Sequence, residues 1–200
     1  MNQTTLSLRQ PGCQVLVALF WIAFSSVFVV IGVTQAQLPF TIFGGAFMAI
    51  GVIFLAYALL AMLTRARIGR PELTISALRL RVGESFTVSL VNTFARSITV
   101  DELLIQLVFR ETAVYQRGTD TETVRHEEIV GELRRPGRPY AAGHILAETQ
   151  AFQIPPDAMH TLKVRRNRLE WFLRVRMTVP RLPDFVEERE LEVVPERVEE

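Results

Sequence analysis

Before Pro71 the chain has no Asp, no Glu and no Lys, and its only charges are Arg9, Arg65, Arg67 and Arg70. Such a stretch lacks the charged surface that keeps a soluble domain in water. Cysteine is almost missing as well. Cys13 stands alone, which excludes an intramolecular disulfide and a cysteine-based metal cluster and fits a reducing compartment. Gln10-Pro11-Gly12-Cys13 fails as a lipoprotein cleavage site, because the apolar run follows the cysteine instead of preceding it. Lysine is reduced to Lys163. A surface of arginines would suit bidentate contacts to carboxylate or phosphate, but the coding bias of a GC-rich bacterial genome accounts for the preference more simply.

Catalytic signatures are absent. His126, His144 and His160 lie on separate segments, and none has a second His or a Cys at metal-ligand spacing. There is no glycine-rich phosphate loop, since Gly44-Gly45 falls in an apolar run, and no serine sits in a nucleophile elbow. Glu127-Glu128 and Glu187-Glu188 are adjacent pairs, and neighbours on a strand point to opposite faces. These features predict no enzyme activity, no metal and no cofactor. A cleft holding a perturbed titratable group would revive an enzymatic reading. From Pro71 onward the chain holds 18 of its 22 basic residues and all 21 acidic ones, a balance that speaks against nucleic acid as a partner.

What fills the first third is apolar. Residues 15–33 and 40–63 are two uncharged runs. As helices they would span roughly 28 and 36 Å, enough to cross a bilayer. A cleaved signal peptide has a shorter apolar region and no second run behind it. The short polar link between the runs makes the helices antiparallel neighbours, and Gly45 and Ala49 form a small-xxx-small pair suited to close helix packing. Neither run contains an ionisable group of the kind ion pathways use. Arg65, Arg67 and Arg70 follow the second run, Arg9 precedes the first, and the link is uncharged. The positive-inside rule then puts both termini in the cytoplasm. The expectation is a helical hairpin over residues 1–70 in the bacterial inner (plasma) membrane, with residues 71–200 as a cytoplasmic domain.

That second part changes period. Phe86, Val88 and Leu90 alternate with polar residues, as do Leu103, Ile105, Leu107 and Phe109. Trp171, Leu173, Val175 and Met177 do the same, with Arg174 and Arg176 on the opposite, solvent-facing side. Alternation at period two marks half-buried strands. Leu73 and Ile75 are out of phase with Leu78, Leu80 and Val82, so a bend belongs near Ser76-Ala77. Weaker strands cover residues 123–133 and 144–154, whereas residues 115–125 and 131–143 read as long loops. Seven or eight short strands without a helix predict an antiparallel two-sheet β-sandwich, immunoglobulin-like in class, with Trp171 as a core anchor.

Residues 141–180 carry a more specific pattern. Phe152, Ile154 and Pro155 end one alternating strand. Trp171, Leu173 and Val175 begin the aromatic-led next one, and Ala142-Gly143-His144 forms a glycine turn before the first. This resembles the arrestin-like fold, in particular its first domain. Arrestins carry two tandem sandwiches and this chain has room for one, and Ala158-Met159-His160-Thr161 stands where the family usually shows Pro-Ser or Ser-Ser. The resemblance implies a sandwich scaffold and, beyond that, an adaptor role; no receptor or phosphate contacts carry over.

The expected function is therefore a membrane-anchored protein-interaction module that recruits or organises another protein. The alternative is an accessory subunit of a larger membrane complex, with the helices as the recognition element. Arg65, Arg67 and Arg70 are the candidate contacts to lipid headgroups. Lys163, Arg165, Arg166 and Arg168 form a candidate partner-binding loop.

Overall fold

The computed structural model describes residues 11–118 and 120–195; Arg9 and Thr119 lie outside the described residues. Two compact units part between Ala66 and Arg67, a few residues before the compositional break at Pro71.

The first unit is built from α1 (Pro11–Thr34) and α2 (Leu38–Ile68). Both outrun the uncharged stretches at each end, α2 taking in Arg65 and Arg67. They are apolar on every face, and only 17% and 11% of their most apolar windows are buried, where the core helix of a soluble protein would be mostly buried. The chain thus has two helices long and apolar enough to cross a membrane. They are antiparallel: a Cβ on Gly32 would run into the backbone of Thr41, and one on Gly44 into that of Val29. The close approach falls on these glycines and not on Gly45 and Ala49, which are both exposed, Gly45 with open space beside it. Trp21 stacks on Phe47 with ring centroids 5.6 Å apart, and its Nε1–H donates to the Phe47 carbonyl at 3.1 Å.

The second unit is all strand: β1 (Glu72–Ile75), β2 (Arg79–Arg81), β3 (Ser85–Thr93), β4 (Ile98–Arg117), β5 (Asp120–Tyr140), β6 (Ile145–Gln153), β7 (Leu162–Lys163), β8 (Asn167–Thr178) and β9 (Phe185–Val194). They form a three-stranded sheet, β1-β3-β6, and a six-stranded sheet, β2-β9-β8-β4-β5, with β7 on β8. Every pairing is antiparallel except β2 with β9. The phase break at Ser76-Ala77 is the point where the chain leaves one sheet for the other.

Two expectations need correcting. Among the described residues the strands number nine, and they are not all short: β4 has 20 residues and β5 has 21. Residues 115–125 and 131–143, expected as loops, belong for the most part to the β4–β5 hairpin and its register. β5 is an edge strand whose side chains are exposed on both faces along much of its length. Nothing there imposes an apolar/polar alternation. An edge also tolerates Pro136 and Pro139, whose missing N–H groups would break a central strand.

The apolar faces meet as the alternation requires. Phe86, Val88 and Leu90 of β3 and Ile105, Leu107, Leu173 and Val175 of the larger sheet are buried in one core. Trp171 is 2% exposed, lies 5.0 Å from the Phe109 ring, and donates from Nε1–H to the Met159 carbonyl at 2.9 Å. Ile68 belongs to the same core, and its carbonyl accepts from Asn92 Nδ2 at 3.1 Å. The Arg96 N–H donates to the Arg67 carbonyl at 3.1 Å. The chain therefore enters this unit beside the β3–β4 turn. β4 runs away from that turn, so the tip of the β4–β5 hairpin and the β7–β8 turn lie at the opposite end.

Candidate functional site

Two sets of basic residues stand out in the sequence. Of the first, Arg65 lies half-buried in the last turns of α2, Arg67 is half-buried with its carbonyl engaged by Arg96, and Arg70 is exposed just before β1. Of the second, Lys163 is held by Glu170 at 3.9 Å and by Glu190, a closer partner. Arg165 and Arg166 form the tight β7–β8 turn closed by Val164 N–H to Asn167 O at 3.0 Å, and Arg168 begins β8.

Register shows what surrounds that turn. On the outer face of the larger sheet, Thr112 of β4 has Arg125 of β5 on one side and Arg168 of β8 on the other. The Arg166 carbonyl accepts from the Val114 N–H at 2.7 Å, which places Arg166 beside the next outward position of β4. Arg125, Arg166 and Arg168 are exposed and meet no carboxylate among the described residues. They flank an uncharged floor of Thr112, Val114 and Thr123. Arg125 was not singled out from sequence, because only the pairing of β5 with β4 brings it to this spot.

One row nearer the middle of the sheet the charges are matched. Arg110 donates from Nε to Glu127 at 2.7 Å and from Nη2 to both Glu188 oxygens at 3.0 and 3.1 Å. Arg174 reaches the same two carboxylates, Glu188 at 2.8 Å and Glu127 at 2.6 Å. Each cation touches each anion, and the Arg110 guanidinium also lies 4.1 Å over the Phe172 ring. Burial pulls the Glu188 and Glu127 carboxyls upward, but the hydrogen bonds from Arg174 and Arg110 outweigh it and hold both below the ordinary carboxylate range. Arg174 is shifted the other way by the same partners, against its own burial. Arg174 is therefore no exposed surface residue, as its outward phase suggested; its side chain is 18% exposed. These are the perturbed titratable groups that could have marked an active site, yet they satisfy one another on a sheet face. Among the described residues no group of His, Cys, Asp and Glu is arranged to hold a metal ion. The quartet was invisible in sequence because its members come from four different strands.

A groove on the helical unit is lined by Cys13, Gln14, Val17, Ala18, Trp21, Phe54 and Tyr57 and is overwhelmingly apolar.

No protein-family model and no curated protein sequence matches the chain. Its fold does match a solved structure: Spo0M, a sporulation control protein from Bacillus subtilis, with a TM-score of 0.51 and 13% identity over 63% of this chain and 49% of that one. The chain thus spans about half the length of Spo0M. An identity this low speaks for the fold alone: the second unit is an arrestin-like β-sandwich of the Spo0M kind.

Proposed function

We propose that the chain is a non-catalytic, membrane-anchored interaction module, whose helices hold an arrestin-like sandwich at the cytoplasmic face of a bacterial inner membrane to recruit another protein. The observation that carries the reading is the β4–β5 hairpin. It continues past the last β8 pair at Ala113, and it exposes Tyr115, Val124 and Ile129 together with an unpaired β5 edge. Exposed edges and apolar side chains on a rigid scaffold are what protein recognition uses. The two apolar helices, with Arg65, Arg67 and Arg70 at the end of the second, support the anchor and its orientation.

A photo-crosslinking amino acid at Tyr115 or Ile129 of the full chain, in cells, tests this. The expected result is a discrete protein adduct in the membrane fraction. Failure to form any adduct from the sandwich, with crosslinks appearing only from the helices, would instead support the accessory-subunit reading. One observation favours that second reading: the apolar groove between Trp21 and Tyr57, with Gly45 and Ala49 left uncovered, offers a third helix a place to pack.

A further inference from the structure

We propose that the outer face at the free end of the sandwich binds an extended acidic segment of a partner protein, whose carboxylates are taken by Arg125 on one side and by Arg166 and Arg168 on the other. This deepens the recruiting role above and rests on it.

Charge sorting by face carries the argument. In the body of the outer face the arginines of β4, β5 and β8 meet carboxylates: Arg110 and Arg174 within the quartet, Arg176 with Asp184, and Arg134 with Glu132 and Glu102. At the free end the pattern stops, and Arg125, Arg166 and Arg168 are left with no anion among the described residues. Three exposed guanidinium groups of one sign, close together and unmatched, repel each other until an anion is supplied. The positions of Arg125 and Arg168 are two strand spacings apart, about 10 Å, with Thr112 and Val114 between them. That width takes one extended chain, and the threonine hydroxyls below it can donate to carboxylate or backbone oxygens. Guanidinium forks match carboxylates two bonds at a time.

The same register argues against a broad anionic surface. Turned over, the hairpin presents Glu111, Glu122 and Glu128 on its other face, in the phase opposite to Arg125. The basic patch is thus one-sided and small, three guanidinium groups across two strand spacings, which suits a narrow segment better than an extended anionic surface. The site also lies at the end of the unit opposite the one where Arg67 and Ile68 enter it.

The test uses the full chain reconstituted in phosphatidylcholine vesicles and a fluorescent peptide of alternating Glu and Thr. Replacing Arg125, Arg166 and Arg168 together by Gln should weaken peptide binding at least about tenfold. Gln at Arg96, Arg138 and Arg181, which are also exposed, should leave it unchanged. A charge-swapped variant, with Glu at the same three positions, should exchange the Glu peptide for its Lys counterpart, an outcome that misfolding cannot imitate. Equal losses in both Gln variants would mean that only net charge matters and would overturn the proposal. So would a triple variant that keeps the peptide but loses binding to phosphatidylglycerol vesicles, since headgroups would then be the ligand. In either case a surviving crosslink at Tyr115 or Ile129 would leave the recruiting role standing.

Discussion

Trp171 and Arg174 sit three residues apart on one strand and point to opposite faces, yet both are enclosed. Trp171→Ala removes a fully buried indole and its hydrogen bond to Met159, so it should cost on the order of 3–5 kcal/mol in urea unfolding. Arg174→Ala would be nearly silent at a solvated site. Here it strips Glu127 and Glu188 of a cation, and a loss of roughly 1–3 kcal/mol is expected, tempered by partial exposure. A silent Arg174→Ala would show the quartet to be ornamental. The quartet should also be acid-sensitive. Glu127 and Glu188 hold their protons less tightly folded than unfolded, so their contribution is complete above the ordinary value of 4.5 and drains away as pH falls through the lower folded values. Glu132, held down chiefly by Gln106 with Arg134 and against burial, adds in the same sense. Thermal midpoints followed downward from neutrality should fall below that point, and the double change Glu127→Gln with Glu188→Gln should flatten the fall.

Among the elements, β5 is the one that sequence pattern hid. β3 and β8 each have one face in the core, so their alternation could be read directly, down to the burial of Trp171. β5 touches the core at few positions, carries charge on both faces, and includes Pro136, Gly137 and Pro139 near its end. By the usual turn signals that end is a loop. It persists as strand because the ladder with β4 continues through Pro139 opposite Thr99 and Tyr140 opposite Ile98, with Tyr140 stacked on Phe94 at 4.3 Å. Gly137 has a definite role there: a Cβ would collide with the Val100 carbonyl and the Asp101 backbone. Gly137→Ala should therefore push the strands apart locally and cost about 1–3 kcal/mol, with faster hydrogen exchange at Ile98 and Val100. Unchanged exchange would mean that the backbone absorbs the methyl group elsewhere. The candidate binding face depended on this same element. Arg165, Arg166 and Arg168 are contiguous and drew attention as a basic turn, but Arg125 joins them only through the β4–β5 register.

At the scale of the whole molecule the charge break at Pro71 and the structural break do not coincide, and the difference can be measured. Composition changes where acidic residues begin, but packing changes at Arg67, because Ile68 is completely buried in the sandwich core. Its carbonyl is the acceptor for Asn92 Nδ2, and Asn92 is itself 1% exposed with its Oδ1 unpartnered among the described residues. A fragment starting at Glu72 would lose both the isoleucine side chain and this acceptor. The first loss is about 1.5–3 kcal/mol of apolar burial. The second leaves a buried amide donor without a partner, at about 1–3 kcal/mol. Against a total of about 5–15 kcal/mol for a domain of this size, that is a large share. A fragment starting at Arg67 should thus fold cooperatively with a strand-dominated far-ultraviolet spectrum, and one starting at Glu72 should unfold at clearly lower urea. Ile68→Ala in the longer fragment should reproduce most of the first loss while leaving the Asn92 bond intact. If the two fragments unfold at the same urea concentration, the end of α2 is only a tether, and the core must close over the place of Ile68 without it.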